Sequence, residues 1–137
     1  MAKVVSKICS INKSNEKVYE FISDFNNLKQ LIPPDKISDI QATNDTCSFM
    51  AKDIGRVGMK IIEKEAPKLI KIGGDGKVPF DFILWIQFVD VAENDTKMRL
   101  TLKTELNPMM KMMIKKQLQK GIDTIADQLT MYFNSRI

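Results

Sequence analysis

The side chains that could do acid–base or nucleophilic chemistry in this chain are carboxylates, tyrosines and two thiols, because the sequence contains no histidine. That absence removes the commonest general base, the usual metal ligand and any serine–histidine or cysteine–histidine nucleophile. Cys9 and Cys47 are far apart and have no second pair, so we interpret them as reduced, half-buried thiols. The sequence therefore predicts no metal site and no cofactor.

Four acids lie nearest the strands that could line an interior site, namely Glu63, Glu65, Asp81 and Glu105. A buried carboxylate with a shifted pKa could act as a general acid or base. Strand alternation, however, places Glu105 on the wet face beside Lys103. No two acids are spaced as a catalytic pair, so the sequence predicts no catalytic residue.

The stretch NPMMKMMIKK, residues 107–116, combines methionines with lysines. Four of the nine methionines in the chain fall between Met109 and Met113. Methionine is unbranched and polarizable, and so adapts to apolar ligands of varied shape as well as to cores. Lysines at 111 and 115 beside such an apolar lip would suit an amphipathic anion such as a fatty acid. Burial under neighbouring loops and contact with a second protein remain open alternatives.

Composition indicates a single domain spanning residues 1–137. The chain has 137 residues, of which 44% are hydrophobic and 28% are charged, which is enough for one core. No apolar run reaches the ~18 residues of a membrane span, and the first ten residues do not form a secretory signal. We therefore expect a cytoplasmic protein. The net charge of +4 is spread along the chain, so nucleic acid is not an expected partner.

Hydrophobic periodicity predicts mostly strands with a long helix at the end. Ser14 can cap one helix, and Asn107 followed by Pro108 is a strong start for the long helix. Ala66-Pro67 and Glu93-Asn94-Asp95 mark turns, and we interpret GGDG at 73–76 as a hairpin turn and Gly55 and Gly58 as flanking another. The predicted elements are a strand at 3–11, a helix after Ser14, a second short helix stopped by Pro33-Pro34, strands at 37–43, 47–52, 59–65, 69–72, 80–91 and 97–106, and a helix at about 107–134.

Three segments carry a resemblance over essentially the whole chain: INKSNEKVYEFISDFNNLKQLIP, KVPFDFILWIQFVDV and the final helix from NPMMKMM. This order resembles the helix-grip fold of the SRPBCC superfamily, which includes START domains, plant pathogenesis-related proteins and polyketide cyclase-like proteins. The resemblance implies an α+β fold. A curved antiparallel sheet of about seven strands would wrap around a long C-terminal helix, with two short helices after strand one. It also implies an apolar cavity between sheet and helix.

The helical period predicts which side of the long helix faces that cavity. Residues on the predicted inner stripe are Met110, Ile114, Leu118, Gly121, Ile122, Ile125, Ala126, Leu129, Tyr132 and Phe133. The glycine on this stripe would permit close packing or leave room for a ligand. The predicted cavity walls are Phe49, Met50, Met59, Ile61, Phe82, Leu84, Ile86, Leu100, Leu102, Met110, Ile114 and Leu118. The predicted cavity mouth is formed by Met109, Lys111, Met112, Met113 and Lys115.

These walls favour a carrier for a small hydrophobic or amphipathic molecule, such as a lipid, fatty acid, quinone or polyketide-like compound. The resemblance also permits an enzyme of the polyketide cyclase or dehydratase kind, which would need polar groups inside the cavity. A third hypothesis is an interaction module with a filled core. The phenylalanine side of the 80–91 strand is expected to face inward, which turns Trp85 outward, either under a covering segment or in a homodimer contact.

Overall fold

We describe the protein from a computed structural model that covers residues 2–31, 37–52, 55–76 and 80–135. The chain begins with strands β1 (Ala2–Val5) and β2 (Cys9–Ile11), helices α1 (Asn15–Ile22) and α2 (Phe25–Leu28), and a 3₁₀ turn at Lys29–Leu31. Strands β3 (Ile37–Ala42), β4 (Thr46–Ala51), β5 (Gly55–Glu65), β6 (Leu69–Gly74), β7 (Phe82–Ala92) and β8 (Asp95–Thr104) follow. Helix α3 (Pro108–Asn134) ends the chain. The predicted stop at Pro33-Pro34 lies outside the described residues.

All strands join one antiparallel sheet in the order β1-β8-β7-β6-β5-β4-β3, and β2 also pairs with β8. Strands β1 and β2 share one edge of the sheet, which therefore has seven strand positions. The predicted α+β helix-grip architecture is confirmed. Among the described residues, no helix combines the length and the apolar character needed to cross a membrane.

The two predicted helix starts at Ser14 and Asn107 are confirmed, and a side-chain hydrogen bond caps each of them. The Ser14 side chain accepts a hydrogen bond from the backbone N–H of Lys17, at 3.3 Å, and caps α1. The Asn107 side chain accepts one from the N–H of Met110, at 2.8 Å, directly before Pro108. Both caps satisfy backbone donors that a helix leaves without partners in its first turn.

Two sequence predictions about strands are wrong. The strand predicted at 3–11 is split, because the Ser6 hydroxyl accepts a hydrogen bond from the N–H of Leu100 (2.9 Å) and the N–H of Lys7 turns toward Asp123. Gly58 lies inside β5 rather than beside a turn, whereas Gly55 is the first residue of β5 and pairs with Ala51 at the end of β4, beside the turn as predicted. A Cβ at Gly58 would lie 2.5 Å from the carbonyl oxygen of Asp75, so a close backbone approach requires this glycine.

Helix α3 runs alongside β1 and β2 in the same direction. The Gln119 amide donates to the carbonyl of Val5, and the Asn134 side chain accepts from the N–H of Asn12. Val5 is three residues, about 10 Å, from the start of β1. The helix extends eleven residues, about 16 Å, before Gln119. The first turn of α3 therefore projects beyond the described end of β1.

Candidate ligand-binding site

The inner face of the sheet changes character along the strands. At the end nearest the last turns of α3, Ile70, Phe88 and Met98 are fully buried. At the end nearest the first turns of α3, Phe82 and Leu84 face the same way but are only half-buried. The protein therefore closes its core at one end and leaves apolar side chains accessible at the other.

The strand register brings the predicted sheet walls together with one exception. Leu84 pairs with both Ile72 and Leu102, and Ile61 pairs with Ile72, so these residues share one face. The half-buried members of this face are Phe49, Met59, Ile61, Phe82 and Leu84, whereas Ile86, Leu100 and Leu102 are buried in the core.

Met50 is the exception, because alternation turns it to the outer face, where 39% of its surface is exposed. Phe49, its neighbour, faces the helix side and packs against the core. Including Met50 among the cavity walls was therefore wrong, and the cause is the one-residue register that the sequence left open.

Helix α3 is rotated about its axis by roughly 50° from the predicted stripe. Its buried residues are Ile122, Ala126, Leu129 and Phe133, while Gly121 is exposed and Ile125 is 41% exposed. A Cβ at Gly121 would meet no atom within 4 Å, so this glycine does not serve close packing.

Met110, Ile114 and Leu118 lie on the side of α3 that faces away from the β1 edge. The opposite side carries Gln119 and Asp123, which bond to the chain between β1 and β2. Met110, Ile114 and Leu118 are all half-buried, and Leu118 packs against the core. These three predicted wall residues thus face the half-buried end of the sheet.

Lys111 and Lys115 continue the line of the buried stripe. Counting back from Ile122 by three and four residues gives Leu118, Lys115 and Lys111, which is the spacing of one helix face. Both lysines are exposed. The face that is core in the second half of α3 is therefore cationic at its start, next to the half-buried apolar residues.

Met109, Met112 and Met113 are the most exposed large apolar side chains of the described residues, at 72%, 87% and 67%. Burial of this cluster beneath neighbouring loops, one of the alternatives left open by the sequence, is excluded by these values. The three methionines point away from the inner face that Met110 and Ile114 share.

Among the residues that the structure describes, one buried hydroxyl on the inner face has no hydrogen-bond partner. Thr104 is 1% exposed and lies between Ala2 and Phe82 in the sheet. Its Oγ1 has no hydrogen-bond partner within the described ranges, whereas Thr96 Oγ1 in the same strand donates to the carbonyl of Lys13 at 2.8 Å. Sequence reasoning missed Thr104, because nothing local marks a threonine as unpartnered.

The acids considered for catalysis lie at the surface. Glu63, Glu65, Asp81 and Glu105 are each exposed. Within the described ranges no three side chains of histidine, cysteine, aspartate or glutamate converge as metal ligands. Cys9 and Cys47 are free and buried, and burial raises the pKa of the Cys47 thiol although Lys29 lowers it.

Trp85 lies on the outer face of the sheet, as the sequence predicts. It is half-buried, with the ammonium groups of Lys103 and Lys71 at 5.5 Å and 5.8 Å from its ring. Such distances permit cation–π attraction, so two lysine side chains partly cover the ring.

A separate open groove of about 450 Å³ lies beside the last turns of α3. It is lined by Leu31, Gln128, Met131, Tyr132, Asn134 and Ser135. Tyr132 stacks on Phe21 with ring centroids 4.6 Å apart. The sequence did not indicate this groove. Its walls combine Leu31 with residues of the last turns of α3, about a hundred positions away in the sequence.

No family model matches the chain. No curated protein matches it either.

Solved structures do match. Norcoclaurine synthase from Thalictrum flavum, in complex with dopamine and hydroxybenzaldehyde, has a TM-score of 0.75 and 12% identity, covering 99% of this chain and 89% of that one. A protein of Thermus thermophilus has a TM-score of 0.71 and 16% identity, covering 98% of both chains. XoxI from Bacillus cereus has a TM-score of 0.69 and 19% identity, covering 97% of this chain and 96% of that one. These likenesses extend over the whole architecture and show that the chain has the helix-grip fold.

Proposed function

We propose that this protein binds a small hydrophobic or amphipathic molecule between the inner face of the sheet and α3. The observation that carries the proposal is the incomplete burial of apolar side chains at one end of that face. Phe82 and Leu84 on the sheet, and Met110 and Ile114 on the helix, are half-buried while the opposite end is fully closed. A ligand that covers this half-buried apolar surface removes it from water, and this favours binding.

The charges at this end favour a ligand with an anionic head. Lys111 and Lys115 are on the helix line that would otherwise be buried core, so their ammonium groups lie beside the site rather than on the far side of the helix. An apolar tail against Ile114 and Leu84 would leave a carboxylate near these lysines. Fatty acids have this chemistry.

One structural neighbour supports small-molecule binding and also keeps the enzyme alternative open. Norcoclaurine synthase shares the architecture and binds dopamine and hydroxybenzaldehyde in its complex. The acids considered for catalysis here are exposed, so the geometry supports binding better than catalysis. Turnover of a bound compound would establish the enzyme alternative instead.

Displacement of a fluorescent fatty acid would test the proposal, after native mass spectrometry has identified any retained molecule. Ile114→Trp should weaken binding at least tenfold, because the larger ring fills the space that the ligand needs. Ile125→Trp is the matched control, since Ile125 is an exposed isoleucine on the same helix, and it should bind as the parent does. Equal binding by Ile114→Trp would refute the site.

The headgroup contact is tested separately. Lys111→Glu with Lys115→Glu should weaken fatty acid binding about two- to fivefold for each lysine, as partly exposed ion pairs do. The affinity for the uncharged methyl ester should stay unchanged. If the acid and the ester respond alike, the anionic specificity is wrong while the apolar site stands.

A further inference from the structure

A second face at the start of α3 has no partner among the described residues. It is formed by Met109, Met112, Met113, Lys116 and Lys120, which we call the methionine face. At 100° per residue these five positions fall within an arc of about 100°, turned away from Met110 and Ile114. All five side chains are exposed. The methionine face therefore presents apolar side chains flanked by positive charge.

Within α3, the charge beside this face has one sign, while the exposed carboxylates of Asp81 and Glu105 lie just before the helix. From residue 106 to residue 122 the sequence contains four lysines and no acid. Asp123, the first acid after them, is engaged by the backbone N–H of Lys7 and by the side chain of Gln119. Its charge is thus directed toward the β1 edge rather than toward the methionines.

This arrangement is unfavourable for an isolated helix. Lys116 and Lys120 are four residues apart, and like charges at that spacing repel. An anionic partner would relieve this repulsion. Charge complementarity therefore points to a negatively charged surface.

The shape of the region indicates which kind of surface. The first turn of α3 projects beyond the described end of β1, so a flat body can reach it. A stable protein interface uses about 20–30 residues on each side, far more than this face offers. A lipid surface has no such requirement, because a few apolar side chains can enter the headgroup region while lysines contact phosphate groups.

We propose that the methionine face docks on a bilayer that contains anionic phospholipid. Met109, Met112 and Met113 enter the headgroup region, and Lys116 and Lys120 lie against its phosphates. This inference goes beyond the proposed ligand site and does not depend on it, because the docking side chains point away from the inner face.

Vesicle co-sedimentation of the purified chain tests the proposal. The protein should bind vesicles of phosphatidylcholine mixed with phosphatidylserine, and should bind phosphatidylcholine alone at least tenfold more weakly. Lys116→Gln with Lys120→Gln should reduce binding about fivefold for each lysine, because each contributes about a fivefold attraction to an anionic surface. Met112→Gln with Met113→Gln should reduce it at least tenfold by removing the apolar contact.

Matched controls come from the same chain. Met131 is a 64% exposed methionine at the other end of α3, so Met131→Gln should bind as the parent does. Lys64 is an exposed lysine on β5, and Lys64→Gln should also leave binding unchanged. Since every substituted side chain is exposed, all variants should keep the parent melting temperature.

Two results would overturn the docking. One is equal binding to both kinds of vesicle, or equal binding by the Met112→Gln, Met113→Gln variant. The other is a concentration-dependent dimer of the parent that the same methionine changes abolish, since this would assign the face to a second copy. Neither result would bear on fatty acid displacement from the inner site, so the two proposals fail separately.

Discussion

Replacing Thr104 by valine should stabilise the protein, whereas the same change at Thr96 should destabilise it. Both threonines are in β8, and both are almost completely buried. They differ in their hydrogen bonds: Thr96 Oγ1 donates to the carbonyl of Lys13, while Thr104 Oγ1 has no partner in the part of the chain that the structure describes. Valine matches the shape of threonine and removes the hydroxyl, so the pair isolates the effect of that group.

The magnitudes follow from the two environments. A buried hydroxyl without a partner costs about 1–3 kcal/mol, so Thr104→Val should raise the free energy of unfolding by about 1–2 kcal/mol. For a chain of this length that corresponds to a rise of about 3–6 °C in melting temperature. Thr96→Val loses a satisfied hydrogen bond and should lower the free energy of unfolding by about 1 kcal/mol.

Denaturant unfolding of the parent and the two variants, without added ligand, measures these differences. Opposite signs are the expected outcome. If Thr104→Val is as destabilising as Thr96→Val, its hydroxyl has a partner and the account of this position is wrong. Equal m-values in the three proteins would show that they expose the same surface on unfolding, so that the differences in the free energy of unfolding arise in the folded state.

The same pair reports on the interior site. If the proposed site binds a fatty acid, a saturating concentration should stabilise the parent and Thr96→Val equally. A smaller stabilisation of Thr104→Val would mean that the Thr104 hydroxyl bonds the ligand when one is present. Equal stabilisation of all three proteins would indicate that the ligand contacts the apolar side chains around Leu84 and not the Thr104 hydroxyl.

Three further predictions concern single positions. Gly121→Ala should raise the free energy of unfolding by about 1 kcal/mol, because Gly121 is inside α3 and its Cβ would meet no atom within 4 Å; a lower value in urea unfolding would contradict the open position. Burial raises the pKa of Cys47, so this thiol should react slowly with a thiol reagent in the folded protein, and a fast-reacting Cys47 located by peptide mapping would refute this. Because folding favours the protonated thiol, the stabilisation from this group should be lost as the pH rises above about 8.5. The homodimer through the Trp85 face remains a prediction: Trp85→Ala should reduce any dimer seen by analytical ultracentrifugation, and an equally stable dimer would exclude the contact.

Local signals were enough to predict most elements of this fold. Ser14 and Asn107 cap helices through hydrogen bonds within three residues, which is information that the adjacent sequence contains. Alternation in β8 likewise predicted which side of that strand faces inward. The phenylalanine side of β7 also faces inward as expected, because Phe88 and Met98 are buried and pair with each other. The resemblance to the helix-grip fold then supplied the arrangement of these elements.

The rotation of α3 could not be predicted in the same way. The apolar residues of α3 cover so wide an arc that Met110 and Ile125 fitted the predicted inner stripe as well as Ala126 and Phe133 did. What selects the observed rotation is a set of contacts distant in sequence: Gln119 with Val5, and Asp123 and Asp127 with Lys7. No helical period contains that information, because it depends on where the β1 edge lies.

That rotation decides what the start of α3 can do. With the core line running through Ile122 and Leu118, the next positions on it are Lys115 and Lys111. Closing this end of the molecule as a dry core would bury two ammonium groups, at a cost of several kcal/mol each without partners. The end nearest the helix start must therefore stay wet or receive an anion. The half-buried side chains of Ile114 and Leu84 make an apolar neighbour for that anion, which is why we propose an amphipathic acid rather than a neutral apolar molecule as the ligand.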